Sequence, residues 1–395
     1  MAEEISEFVN KESTITLELL SMYICTSASK GKLLLAIKVN KDELIGKNHN
    51  IIKHEDNSNE LYEELWDTIK NQKITWTGKI KNKTKGFVMP SINVQRSISI
   101  KGTTDSVFAV LSDFNQWRSW SPWLITESKA EMTVSADGQS YQWQGERVGQ
   151  GTMALISSEP NQALNLHLTF LKPWKSNAQV QFYLSQQGDE VEVTWAMQSS
   201  LPFFMFWLKN MMQALIAMDY ERGLLMLKDY LETGTVACQL SIQGKTEFSG
   251  VTYLGVKRSC LRTEMIDTMP EDFASLMSFV EQYPSIVIKK GCAIYHKFDL
   301  ISGEVSYTAG LIIENSPGHI PEHFILGKIP TMKVFSVVHT GSYHYLGNAW
   351  SMIMGLQRAK KFKQTKAYPP FELYHNNPRD VAANELMTEV VFACK

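Results

Sequence analysis

"AYPPFELYHNNPRDV", residues 367–381, reads as the opening of a β-strand close to the C-terminus. Its alternation puts Phe371 and Leu373 on one face and Glu372 and Tyr374 on the other. A carboxylate between aromatic residues in an apolar strand has two ordinary explanations. Either it points to solvent from an edge strand, or it lines a cavity and meets something cationic or reactive. The choice depends on what surrounds that strand.

Working outward, the strand belongs to the second half of an internal repeat. The first half reads strand (VTYLGVKRSCLR), helix (MPEDFASLMSFVEQY) and two strands (GCAIYHKFD, GEVSYTAGLII). The second half reads strand (KVFSVVHTGSY), helix (HYLGNAWSMIMGLQRAKK) and two strands (PPFELYHNN, LMTEVVFACK). Two such copies within residues 251–395 suggest a pseudo-twofold domain whose midline groove is the natural ligand cleft. Glu372 has no acidic counterpart within "CAIYHKF" of the first copy, so it speaks for local function more than for shared packing. A buried, unpaired carboxylate is costly and waits for a cation or a proton. Around it the sequence supplies an aromatic wall of Tyr343, Tyr345, Trp350 and Tyr374, with Tyr295 and Tyr307 offered by the other half. Aromatic faces backed by a carboxylate suit lipophilic cations and planar aromatics. His339, ending a strand before "TGSY", reads as a structural histidine with satisfied nitrogens.

"VVHTGSYHYLGNAWSMI" together with "PPFELYHNNPRDVAANELMTEVVF" resembles the GyrI-like, AraC-type effector-binding domain over this whole segment. The resemblance implies that the acid at position 372 lies on the floor of a binding groove. It also implies two rivals to plain binding. Members can hydrolyse electrophilic small molecules, with the groove Glu as general base or nucleophile assisted by a Tyr, which makes Glu372 the catalytic candidate if there is turnover. Others are gyrase-inhibitory interaction modules.

Residues 89–234 begin with an alternating strand, INVQRSISI, and a helix, TDSVFAVLSDFNQW. The strands SYQWQGE, GTMALISSE, LNLHLTFL, AQVQFYLSQ and VEVTWAM follow, and a long helix over about 203–232 closes the segment. In that α+β order the sheet must wrap the helix to bury its apolar side. "FAVLSDFNQWRSWSPW", "GQGTMALISSEPNQALNLHLTFLKPW" and "VEVTWAM" resemble the START-like, polyketide cyclase/SRPBCC superfamily. Trp120, Met211, Met212, Leu215 and Met218 are the candidate lining of an apolar cavity, methionine being adaptable to varied ligands. Trp117, Trp120 and Trp123 are expected in a connecting loop or turn, capping its mouth. Residues 235–250 read as a polar linker.

Residues 1–88 are rich in Lys, Asn and Glu. "KDELIGKNHNIIKHED" with "LYEELWDTIKNQKITWTGKIKNKTKG" resembles a PAS domain of the redox- or energy-sensing kind, reduced in length. His49, His54 and Trp76 read there as packing or surface, and no flavin is expected.

The chain has 395 residues, a length for two to four domains. It is 44% hydrophobic and 20% charged with a net charge of −2, so no electrostatic footprint for direct nucleic-acid binding is present. The cysteines Cys25, Cys238, Cys260, Cys292 and Cys394 are scattered, which predicts neither a disulfide framework nor a zinc site and makes a reducing cytoplasm the default. The N-terminus is acidic and polar, unlike a secretory signal. "LPFFMFWLKNMMQALIAM", residues 201–218, is apolar but interrupted by Lys209, Asn210 and Gln213, so a buried helix is expected over a membrane span. The whole predicts an α+β, multidomain cytoplasmic protein that binds small lipophilic or cationic molecules in sensing, regulation or drug sequestration. No cofactor or metal is expected, and a protein partner stays unspecified.

Overall fold

The computed structural model describes residues 91–172, 175–201 and 203–395. The PAS-like assignment of residues 1–88 lies outside the described residues. The described residues up to Leu201 and from Leu208 onward belong to one compact unit.

Seven antiparallel strands form the first sheet: β1 (Ser91–Lys101), β2 (Glu131–Val134), β3 (Ser140–Gln144), β4 (Gln150–Glu159), β5 (Ala163–Lys172), β6 (Ser176–Gln187) and β7 (Glu190–Ser200). Their order is β1-β7-β6-β5-β4-β3-β2, so the first strand returns beside the last. Helix α1 (Thr104–Ser112) starts at Thr103, whose hydroxyl accepts from the Ser106 N–H and so satisfies one of the free donors of the first turn. The tryptophans expected in a loop or turn at a cavity mouth lie in two one-turn helices, α2 (Trp117–Trp120) and α3 (Pro122–Thr126), where Trp117 and Trp120 are fully buried. Such large rings gain more from burial than a turn at the surface can offer. A 3-10 turn over Phe203–Leu208 leads into α4 (Lys209–Thr233), which ends at Gly234 in the left-handed conformation. No described helix is long and apolar enough to cross a membrane.

The second sheet has eight antiparallel strands: β8 (Cys238–Phe248), β9 (Val251–Leu261), β10 (Ile288–Phe298), β11 (Glu304–Ile313), β12 (Ile325–Ile329), β13 (Met332–Gly341), β14 (Phe371–Tyr374) and β15 (Met387–Ala393). The stretch read as a linker is therefore mostly strand: β8 pairs with β13 from Gly341↔Cys238 to Met332↔Phe248. Its polar side chains conceal this role because an outer strand keeps much of its surface in water. Helix α5 (Met265–Val280) starts four residues before the expected Met269 and carries Pro270 within it. Helix α6 (Leu346–Arg358) belongs to the second copy.

The order β12-β9-β11-β10-β14-β15-β13-β8 places the two copies side by side, meeting at β10 and β14. Both helices cover the same face. Leu276, Phe279 and Val280 of α5 pack with Leu254 and Leu311. Ala349, Met352, Ile353 and Leu356 of α6 pack with Phe335, Val337, Val390 and Phe392. Each large apolar side chain so buried contributes about 1.5–3 kcal/mol. The helices sit over the flanking strands, so the midline between them belongs to β10 and β14.

Candidate functional site

Glu372 stands on that midline. Its strand has four strands on one side and three on the other, so it is no edge, and the residue is 1% exposed. In register it faces Ala293 of β10 and Val390 of β15. Trp350 Nε1 donates to Oε1 at 2.5 Å, while the hydroxyls of Tyr295 and Tyr374 donate to Oε2 at 3.0 and 2.7 Å. Three elements thus converge on one carboxylate: β10, β14 and α6. The indole N–H can only donate, so Oε1 is an acceptor whatever the protonation of the group.

Burial lifts the Glu372 carboxyl above its ordinary value, and the three donated hydrogen bonds pull the other way without cancelling it. Burial and the adjacent carboxylate push the hydroxyls of Tyr295 and Tyr374 well above theirs, and Tyr343 to about 12. These tyrosines are therefore donors, not bases, at physiological pH. Among the described residues no cation pairs with Glu372. The described groups that hold it are neutral dipoles.

The aromatic residues expected here divide into two sets. Tyr295 and Trp350 meet edge to face at 5.1 Å, and Trp350 also leans on Phe392. Tyr374 meets Tyr343 at 5.7 Å, and Tyr343 is 38% exposed at the mouth. Gly341 sets that mouth: its φ is 141°, and a Cβ there would lie 2.1 Å from the Ala237 carbonyl oxygen. Tyr345 points elsewhere, its hydroxyl donating to Leu225 O of α4 at 3.3 Å. Tyr307 also serves another centre, where it donates to Asp272 at 2.8 Å. The opposite wall comes from Met269 and Phe273 of α5, which both reach Tyr374. Their spacing of four residues put them on one helix face in the sequence, but nothing there said that this face met position 374.

The other candidate lining is dispersed. Trp120 lies in a continuous aromatic core, 5.7 Å from Trp195, which stacks on Tyr220 at 4.0 Å. Met211, Met212 and Leu215 are half-buried on α4. Met218 lines a hollow of about 250 Å³ with Arg96, Arg262 and Asp299, whose lining does not include Glu372. His339, read as satisfied, has no hydrogen-bond partner among the described residues on either ring nitrogen, although it is fully buried.

Residues 251–395 thus form a paired-helix, antiparallel-sheet cradle with a buried acid on its midline. Residues 247–395 match the family described as the GyrI-like small molecule binding domain. Residues 91–232 match the family described as polyketide cyclase / dehydrase and lipid transport. The chain thus joins a START-like domain to a GyrI-like one, as the sequence motifs indicated. No curated protein matches the chain. Among solved structures, the EcmrR C-terminal domain is 15% identical, with a TM-score of 0.32 over 40% of this chain and 99% of that one. SAV2435 bound to tetraphenylphosphonium is 15% identical, with a TM-score of 0.31 over 39% and 94%. The Aha1 dimer from Colwellia psychrerythraea is 18% identical, with a TM-score of 0.29 over 37% and 99%. Likeness at that level says nothing of function.

Proposed function

We propose that the GyrI-like domain captures lipophilic aromatic cations, with Glu372 as the counter-charge, in a cytoplasmic sensing or sequestration role. The observation that carries this is a carboxylate on a central strand, ringed by aromatic faces and donors and, among the described residues, without a cation. A ligand cation supplies the missing charge in a low-dielectric site and gains cation–π contact with Tyr295, Trp350 and Tyr374. Pairing also returns the Glu372 carboxyl toward its ordinary value, so binding a cation releases a proton wherever the free site holds one.

The test is Glu372→Gln. The amide can turn its oxygen to the Trp350 indole and its NH2 to the tyrosine hydroxyls, which can accept, so shape and donors are kept. Rhodamine 6G should then bind about tenfold or more weakly, since a charged hydrogen bond contributes about 1.5–3 kcal/mol. A neutral aromatic should be almost unaffected. Equal affinity of both proteins for the dye would sink the reading. The hydrolytic alternative separates cleanly: with Glu372 as general base, the variant would still bind an electrophilic ester but lose turnover by about 10²–10⁴.

A further inference from the structure

The hollow beside α4 draws its lining from both family domains. Ala214, Ala217 and Met218 of α4 and Arg96 of β1 come from the START-like side, and Arg262 and the β10–β11 hairpin from the GyrI-like side. Its volume is about 250 Å³. A cavity of about 150 Å³ takes a benzene ring, so this one takes a molecule of about ten non-hydrogen atoms. Apolar side chains meet it from the hairpin as well as from α4. Phe298 is 42% and Ile301 63% exposed, so large apolar groups are left in water where the two domains meet. The charges beside them are unevenly matched. Arg96 Nε donates to Glu221 Oε1 at 2.8 Å, and Arg262 Nη2 lies 3.2 Å from Oε2. One carboxylate of α4 is thus shared by two partly exposed guanidiniums. Asp299 lines the hollow too, but its Oδ1 accepts from the Ile301 and Ser302 N–H groups at 2.9 and 3.0 Å, which ties its charge to its own turn. Among the described residues Arg96 hydrogen-bonds only through Nε and Nη1, so most N–H donors of the arginine pair are left for another acceptor.

We propose that this hollow binds a small amphiphilic monocarboxylate, whose head bridges Arg96 and Arg262 and whose apolar part lies against Met218, Phe298 and Ile301. Guanidinium forks match carboxylate oxygens in geometry, and Glu221 shows that these two side chains already reach one carboxylate between them. Two guanidiniums less one shared carboxylate leave a single positive charge, which suits a monoanion and not a dianion. A cation meets repulsion from both arginines. The apolar part of the ligand takes the exposed Phe298 and Ile301 out of water, which is the favourable direction for such surface. Because the lining comes from two domains, the ligand holds β1 and α4 of one against the β10–β11 hairpin of the other. The site takes the opposite charge to the one assigned to Glu372 and shares no residue with it, so it does not depend on that reading.

Octanoate and octanamide provide the test, since the amide keeps the size and shape of the acid without its charge. Titrated into the full chain and followed by NMR of the ligand, octanoate should bind about tenfold more tightly than octanamide, the worth of a charged hydrogen bond. Arg96→Gln and Arg262→Gln should each weaken octanoate about three- to tenfold, the same bond discounted for exposure, and leave octanamide as it was. Where one of these variants does not fold, the other carries the comparison. Glu221→Gln removes the competing carboxylate and should tighten octanoate by up to about fivefold, a gain that a purely structural role for the cluster does not give. Ala214→Leu fills the hollow and should weaken both ligands. Octanamide binding as tightly as octanoate overturns the anion site. Octanoate binding that ignores both arginine variants and Ala214→Leu occurs elsewhere and overturns it as well. If octanoate does not bind the unaltered protein, the hollow is a water-filled gap between domains and the proposal is wrong.

Discussion

Glu372 and His339 are both buried on one sheet face, and burial moves their proton equilibria in opposite directions. For Glu372 the ordinary value is 4.5 and the folded value is higher, so in the window above 4.5 the folded protein holds a proton that the unfolded chain has lost. Its contribution to stability therefore falls as pH rises through that window. For His339 the ordinary value is 6.5 and the folded value about 4, so the unfolded chain binds the proton first and stability is lost as pH falls from 6.5 toward 4. Urea unfolding of the ligand-free protein should show Glu372→Gln gaining most near neutral pH and His339→Leu gaining most in mildly acidic buffer. A Glu372→Gln variant less stable than the parent at neutral pH would contradict the burial argument. At this scale the sequence revealed Glu372, because an acid in an apolar, alternating strand breaks its own pattern. It did not reveal His339. One histidine near a strand end looks the same whether its nitrogens are bonded or bare, and only its cross-strand neighbours decide.

At the scale of elements, α5 is fixed to its half of the sheet by a charge as well as by its apolar face. Asp272 is 2% exposed and accepts from Arg258 Nε at 2.9 Å and Nη2 at 2.5 Å, and from the Tyr307 hydroxyl at 2.8 Å. Arg258 and Tyr307 are opposed in register on β9 and β11, so one carboxylate clamps helix to strand pair. Asp272→Ala removes the buried acceptor of the Tyr307 hydroxyl, which keeps only its 3.1 Å contact with Thr268 Oγ1, while the half-exposed guanidinium turns to water. We expect a loss of about 1–3 kcal/mol in denaturant unfolding. A cost below that range would mean that α5 is held by apolar packing alone. The repeat itself was legible, since each strand and helix carried its own period. The clamp was not, because Arg258 and Asp272 stand in different elements with no periodicity to relate them. β8 was hidden for a related reason. An outer strand with polar side chains resembles a linker until a partner strand claims its backbone hydrogen bonds.

Across the whole unit, α6 lies between the GyrI-like sheet and the START-like helices. On one side Trp350 holds Glu372. On the other, Arg222 of α4 donates to Gly347 O at 3.0 Å and to Asn348 Oδ1 at 2.8 Å, and Lys361 pairs with Glu146 at 2.6 Å. Residues 89–234 expressed alone should fold around the Trp117–Trp195 aromatic core, yet unfold at a lower temperature than the same region in the intact chain. Arg222→Ala in the full chain should reproduce part of that loss, measured by calorimetry. An isolated fragment as stable as the intact region would mean the seam is idle.

What the sequence alone determined was local and periodic: the α+β class, the strand–helix–strand–strand copies, the motifs of both families and the anomalous acid at 372. Those properties are carried by side-chain alternation within one element, and alternation needs no knowledge of neighbours. Tertiary structure alone decided which tyrosines reach Glu372, that Tyr345 turns to α4 instead, and that β8 closes the sheet. Those are facts of register between strands far apart in the chain, and a shift of one residue would send every one of these side chains to the opposite face.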